Sequence, residues 1–359
     1  MKFSIHFLTA LVLATGCSQP QKSSEVENTE TVQSKFAHSP LVEDIYTADP
    51  SAHIFEGKIY IYPSHDIETE VQEDDMGSHF DMKDYHVFSM DQPGGEVTGH
   101  GVALKLEDVP WAGRQLWAPD AAEKDGKYYL YFPAKDKADI FKIGVAISDR
   151  PEGPFTAEPE PIAGTFSMDP AVFHEGEDYF LLFGGIWGGQ LQWYENQELV
   201  EGRKGPTDGI PAAEEKALMP YIAKLDRSMT KLAEKPRELL ILDENGEPIK
   251  AGENDKRFFE AAWMHEYEGK YYLSYSTGDT HFIAYATGDN PYGPFTYQGN
   301  VLEPVEGWTN HHSIVEFEGK WYLFYHDTEL SGKTPLRNIK MAELTHLPDG
   351  KIQTINPMN

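Results

Sequence analysis

Five times along this chain a glycine-containing turn leads into a run of alternating aromatic and aliphatic residues. The segments are EGKIYIYPS from Glu56, DGKYYLYFPA from Asp125, EGEDYFLLFGG from Glu175, EGKYYLSYST from Glu268 and EGKWYLFYHD from Glu318. Each reads as a β-hairpin in which Gly-Lys or Gly-Glu supplies the tight turn and the following run is a strand buried on both faces. A second short apolar strand precedes every turn: PSAHIF, PDAAE, PAVFH, AAWMHEY and SIVEF. Two units close on a shared element, SDRPEGPF (148–155) and TGDNPYGPF (287–295), whose Pro and Gly make a loop and whose Phe packs back. Fivefold recurrence of antiparallel strands, with few helical patterns, predicts an all-β fold, a five-bladed β-propeller with about four strands per blade. A β-sandwich, the alternative, does not explain five repeats. In the long gap between Gly176 and Gly269, the polar stretch 195–215 reads as a loop, and YIAKLD and ELLILD read as outer strands of the third blade. DGKIQTINP, after the fifth repeat, reads as a closing strand.

With 359 residues, 40% of them apolar, the chain has material for a large core. Its 59 acidic and 30 basic residues give a net charge of -29, which repels a phosphate backbone and excludes nucleic acid and anionic lipid head groups as partners. Aromatic residues make up 13% of the chain, which suits both a β-rich fold and stacking on sugar rings. Met1-Lys2, an apolar stretch over 7–14 and the small residues Ala14, Thr15 and Gly16 lead directly to Cys17, the single cysteine. This reads as a bacterial lipoprotein export signal over 1–17, with Cys17 as the lipidated residue; an ordinary signal peptide is the alternative. Residues 18–35 are polar and aperiodic and read as a flexible tether, leaving 36–359 as the propeller domain. The expected location is therefore the periplasm or outer-membrane surface, with membrane contact through the anchor only. One cysteine allows neither an intrachain disulfide nor a cysteine-based zinc site.

In a propeller, the innermost strand of each blade lines a central channel, and equivalent strand ends converge on one mouth. The residues at these openings are Asp49 (TADPS), Asp120 (WAPDA), Asp169 (SMDPA), Glu260 (FFEAAW) and His311 (NHHSI). Asp-Pro is a common turn dipeptide, so Asp49 or Asp169 alone would carry little weight. Five ionisable groups in equivalent places predict a ring around one pocket. The chain has no G-x-S-x-G elbow, H-E-x-x-H pair, Walker loop or dinucleotide fingerprint after a strand.

Through ADPS, YHVFS, LWAPD, SMDPAVF, EAAW and HHSIVEFEGKWYLFYH, the chain resembles glycoside hydrolase family 43 from about Leu41 to Leu344. The resemblance implies a five-bladed propeller with Asp49 as general base, Glu260 as general acid, and Asp169 orienting the acid and raising its pKa. Inverting glycosidases need such a pair about 6.5–9.5 Å apart, and a neighbouring carboxylate keeps the acid protonated near neutral pH. It also implies a hydrated metal ion, usually calcium, near His311. Hard cations prefer oxygen ligands, and the alternative is that His311 only hydrogen-bonds the channel backbone. His312 is expected to pack or to face substrate, and no organic cofactor is expected. Arg337 resembles a position aimed at the substrate pocket, with a surface salt bridge as the alternative. Trp117 and Trp187 are either sugar platforms or core, Trp263 and Trp321 are expected in the core, and Asp120 is expected to be structural. The acidic run 68–75 reads as a solvated loop between blade strands, with shaping of the pocket rim as the alternative; nothing in it specifies a calcium loop.

The implied activity is exo release of terminal α-L-arabinofuranose or β-D-xylose from an oligosaccharide. Alternatives are another exo-specificity, such as a galactosidase, and a glycan-binding propeller without catalysis. The presence of all three carboxylates argues against the latter. A neighbouring fructan-acting family carries Asn-Asp-Pro and Arg-Asp-Pro motifs, which this chain lacks.

Overall fold

A computed structural model of the chain describes Met1 and residues 34–278 and 281–359. Cys17, the expected export signal 1–17 and the tether up to residue 33 lie outside the described residues. In four repeats the two-residue loop has both residues at positive φ: Glu56 and Gly57 at 53° and 77°, Asp125 and Gly126 at 54° and 73°, Glu268 and Gly269 at 49° and 76°, and Glu318 and Gly319 at 50° and 82°. Such a turn matches the right-handed twist of the flanking strands. The turn pair is thus the acidic residue and the glycine, and the lysine expected in the turn opens the next strand instead.

The hairpins extend into five sheets arranged as the blades of a propeller. The inner strands are Tyr46–Phe55, Asp120–Lys124, Ala171–Glu175, Glu260–Tyr267 and Ser313–Phe317. Each packs on the inner strand of the next blade, and the fifth packs on the first. Blade one is a four-stranded meander continuing through Lys58–Asp66, Asp84–Met90 and Thr98–Lys105. Blade five has three strands, ending with Lys320–Asp327 and Asn338–Leu344. The second strands are buried almost along their whole length, as the aromatic and aliphatic runs require; Tyr62, Tyr131, Phe183, Tyr275 and Tyr325 are fully enclosed between blades. In both PEGPF and PYGPF the Gly-Pro bond is cis, and Phe155 and Phe295 pack inward as expected.

Three expectations change. YIAKLD supplies a strand of blade three (Tyr221–Lys224), but ELLILD is divided: Arg237–Glu238 ends blade three, and Ile241–Leu242 joins the outer edge of blade four in parallel with Phe295–Leu302. The stretch 195–215 is irregular apart from a small hairpin of Tyr194–Glu195 with Glu198–Leu199. The terminal segment adds no strand to blade five. It runs along blade four, where Ile355 bridges Leu302, and reaches the N-terminal segment, where Met358 bridges Phe36.

Blade five is completed from the start of the domain. Leu41 donates its backbone N–H to Ile339 and Thr47 donates to Arg337, both at 2.9 Å. Beneath this seam Lys340 is fully buried, its Nζ 2.6 Å from both Asp327 and Glu329 and 4.0 Å from the Phe36 ring centre. Removing one partner of a buried ion pair leaves the other charge uncompensated. Lys340→Ala is expected to lose about 3–5 kcal/mol of stability in urea unfolding; an unchanged midpoint would show that the seam does not depend on it.

Candidate active site

Each carboxylate expected at the channel mouth sits where regular strand geometry breaks. Asp49 lies at the bulge between Ala48 and Ser51 with φ 50°, and Asp169 precedes the inner strand of blade three with φ 54°. Glu260 opens a bulge in blade four, with Ala261 at φ 61°. Aspartate tolerates the left-handed region better than most residues, and bulges re-aim side chains at the ends of sheets. The three carboxylates line one pocket with His311, Arg337 and Thr309, enclosing about 500 Å³, part of it open to solvent. Asp120 is not among the lining residues. It is buried in the channel, where it accepts hydrogen bonds from Ser51, from the Val172 N–H and, at 2.6 Å, from His53, joining blades one, two and three. The expected ring of five is therefore a group of four above a structural aspartate.

Arg337 is 3% exposed, which rules out a surface salt bridge. Its Nη1 and Nη2 lie 3.1 and 3.4 Å from the Asp49 carboxylate oxygens, while Nε and Nη2 each lie 2.8 Å from Asp66. On the other side of Asp49, its backbone N–H donates to Nδ1 of His326 at 3.0 Å. Nδ1 therefore carries no proton, and Nε2 donates to the Thr309 carbonyl at 3.0 Å.

Burial alone would raise the Asp49 carboxyl; the Arg337 guanidinium, with His326 and His311, outweighs burial and holds it below the usual aspartate range. Glu260 has the opposite balance. Burial and the Asp49 charge push it up to about 8 against the pull of Arg337. Asp169 is also pushed up, by burial and by Glu260. Two neighbouring buried carboxyls do not readily ionise together, so they retain a proton at neutral pH. The Ala261 N–H, donated to Asp169 at 3.0 Å, favours its ionised form and opposes these two causes.

The His311 Nδ1 lies 3.7 Å from Asp169 and 4.0 Å from Asp49. Burial lowers its pKa to about 4, so the ring is neutral and able to act as a ligand. The carboxylates that face it are already engaged, Asp49 by Arg337 and Asp169 by Ala261. Beside it in sequence, the Asn310 side-chain amide and Nδ1 of His312 are buried without a partner among the described residues. This donor set fits a cation that keeps most of its water rather than an all-protein cage. His312 packs inside, its Nε2 2.6 Å from Ser274 Oγ.

The aromatic wall differs from expectation in its details. Trp117 is buried against Phe80 and Phe141 and gives its indole N–H to the Phe80 carbonyl at 2.8 Å, so it is a wall of the pocket rather than a free platform. Trp187 is half-buried with φ 55°, and its flanking glycines make room for protein, not substrate: a Cβ on Gly189 would come within 2.5 Å of Met168 Cε. Trp263 is in the core, and Trp321 packs on it. Two of the aromatic lining residues, Trp308 and Phe80, escaped the sequence reading, and the acidic run reaches the rim, as the sequence allowed. Trp308 faces Trp187 with ring centres 5.8 Å apart and is 37% exposed; Phe80 lies 4.7 Å beneath the Arg337 guanidinium; and Asp75, from the acidic loop, lines the rim. A tryptophan three positions before His311 was the available signal for Trp308.

A propeller with two buried carboxyls driven in opposite directions beside a sugar-sized aromatic pocket defines a glycoside hydrolase. The chain matches the model of glycosyl hydrolases family 43 over residues 46–352, and it belongs to that family. It is 60% identical to xylosidase/arabinosidase 43A of Humicola insolens, over 89% of this chain and 99% of that protein. It is 58% identical to a xylosidase/arabinosidase of Bacteroides ovatus, over 88% and 96%. Among solved structures, a β-xylosidase/α-arabinofuranosidase of the family from a compost microbial metagenome, in complex with xylotriose and in a calcium-free form, superposes with a TM-score of 0.87 at 64% identity, over 89% of this chain and 97% of that one.

The raised Glu260 makes the folded protein hold a proton that the unfolded chain releases between the ordinary glutamate range and about pH 8. Stability from this group is full below that range and falls as pH rises through it. Glu260→Gln does not titrate, so its melting temperature is expected to exceed the parent's by a few degrees at pH 8 and to match it at pH 4. An equal difference at both values, in parallel thermal melts, would contradict the assignment.

Proposed function

We propose that the protein is an exo-acting, inverting glycosidase that releases terminal β-D-xylose or α-L-arabinofuranose from polysaccharide-derived oligosaccharides. The observation that carries this reading is the opposite displacement of Asp49 and Glu260 in one pocket, the first in contact with Arg337 and the second not hydrogen-bonded to it. Glu260 protonates the leaving glycosidic oxygen. Asp49 takes a proton from the water that attacks the anomeric carbon from the opposite face, and the water's hydroxyl becomes the new anomeric substituent. Exchange with solvent then returns Asp49 to its ionised and Glu260 to its protonated form. Asp169 holds the blade-four backbone beside the acid through Ala261, and as a neighbouring carboxyl it disfavours ionisation of both groups together.

The pentose assignment is supported by the names of the two relatives and by the xylotriose bound to the compost enzyme. Exo action is supported by a pocket walled by Phe80, Trp117, Trp187 and Trp308. A calcium ion near His311, held mostly through water, would supply positive charge among the buried carboxylates. The export signal and lipidated Cys17 remain part of the proposal, on the sequence of residues 1–17; Cys17→Ser is expected to move the expressed protein from the membrane fraction to the soluble fraction.

The deciding experiment follows xylotriose and an arabinose-substituted oligosaccharide by proton NMR. The first product is expected to be a single sugar with inverted anomeric configuration. The kcat/KM profile should lose its basic limb near pH 8, where Glu260 ionises, and its acid limb below the ordinary aspartate range. Glu260→Gln should lose about 100-fold to 10,000-fold in kcat on these substrates. Retained anomeric configuration, or a Glu260→Gln variant at parental rate, would overturn the mechanism.

A further inference from the structure

Arg337 has more donors than the base alone can use. Asp66, the last residue of the second strand of blade one, is fully buried and receives three of its hydrogen bonds. The Arg337 backbone N–H, Nε and Nη2 all reach Asp66 at 2.8 Å. Nη1 and Nη2 each reach one Asp49 oxygen, but at the longer distances of 3.1 and 3.4 Å, and Nη1 also donates to Thr309 Oγ1 at 3.1 Å. Planar guanidinium and carboxylate groups match in a two-bond fork, which fixes orientation as well as charge. Here the tight fork faces Asp66 and the one on Asp49 is longer, with Nη2 shared between the two carboxylates.

We infer that Asp66 is a positioning residue for this reaction: by taking the three short hydrogen bonds of Arg337, it holds the cation at the longer contact with Asp49 and leaves the base able to take a proton from water. The inference rests on the reading of Asp49 as the base. Asp66 does not line the pocket, so its effect on the reaction runs through Arg337.

The charges around the two groups give the sign of the expected change. Asp49 is faced by Arg337, His326 and His311 of blade five and lies near Asp66, Asp169 and Glu260; Asp66 is faced by Arg337 and lies near Asp49 and His79. Both histidines of blade five that face Asp49 are held neutral by burial. In the parent, Arg337 and Asp66 together add no net charge beside Asp49. Burial raises Asp66 whereas Asp49 is held low, so Asp66 is already neutral where Asp49 takes up its proton; at higher pH Asp66→Asn keeps the shape and removes the negative member, so the positive charge felt by Glu260 increases and Glu260 ionises at lower pH.

The test compares Asp66→Asn, Asp66→Glu and Asp49→Ala with the parent in full pH profiles on xylotriose, alongside thermal melts. Asp66→Asn is expected to lower kcat about 100-fold, as a misplaced catalytic group does, and to move the basic limb of the kcat/KM profile down by about one pH unit with the acid limb in place. Asp66→Glu, which keeps the charge but lengthens the arm, should lose at least 10-fold in kcat with both limbs in place. A purely structural residue would lower the melting temperature and the active fraction without displacing the limbs. A parental basic limb in folded Asp66→Asn, or parental kcat in Asp66→Glu, would overturn the inference. If Asp66→Asn does not fold, the Asp66→Glu result decides alone. Substantial activity in Asp49→Ala would instead overturn the reading of the base, so the two failures are distinct.

Discussion

The guanidinium of Arg337, between Asp49 and Asp66, is where closure of the ring and chemistry of the pocket become one constraint. Asp49 and Asp66 belong to the first two strands of blade one, and Arg337 immediately precedes the last strand of blade five, 271 residues beyond Asp66. A buried charge without partners is costly, and a paired one is tolerated only when the geometry is good. Before the first and last blades meet, all three groups lack their partners. Once they meet, the pairing satisfies the cation, and the backbone bond from Thr47 to Arg337 sets the two blades in register. The chain has a single cysteine, at position 17, so no disulfide within the chain can supplement this seam.

The same cation separates the two carboxyls. Burial acts on Asp49 and Glu260 in the same direction, raising both. What differs is contact: Arg337 touches Asp49, and His326 accepts the Asp49 backbone N–H, whereas Glu260 faces the negative charge of Asp49 and the neighbouring Asp169. One positive group placed nearer one carboxyl than the other thus makes a base and an acid from chemically similar side chains. Repulsion among the remaining carboxyls costs stability at alkaline pH, and that cost is part of the device.

The local parts of this arrangement were legible in the sequence. Acid-glycine turns and aromatic strands depend on neighbours two or three residues away, so five hairpins could be read directly, and their openings led to Asp49, Asp169, Glu260 and His311. Asp120 was misplaced in the pocket because its strand is regular where Asp49 and Glu260 occupy bulges, and a bulge is not visible in residue alternation. ELLILD was assigned whole to one blade because periodicity does not show where a short strand changes sheet. Arg337 was found, but its partner Asp66 was not. Nothing near PSHD marks that aspartate apart from other strand-end acids, and its importance comes from a contact across the seam. Trp308 was missed for a related reason: it lies in an irregular segment, outside the repeat that guided the reading.

A closed ring also explains why such a site can work on a frame with no α-helix among the described residues and no disulfide within the chain. Inversion requires the acid and base to remain far enough apart to hold a water between base and sugar, yet near enough to act on one bond. Asp49 and Glu260 are carried by inner strands of blades one and four, and each inner strand is held by its neighbours on both sides. Spreading the pocket would require parting at least one of these interfaces. The seam between blades five and one is where the first and last blades of the ring meet, and there the base, its guanidinium partner and Asp66 are tied together. The most vulnerable interface of the ring is thus strengthened by the residues whose positions the reaction can least allow to drift.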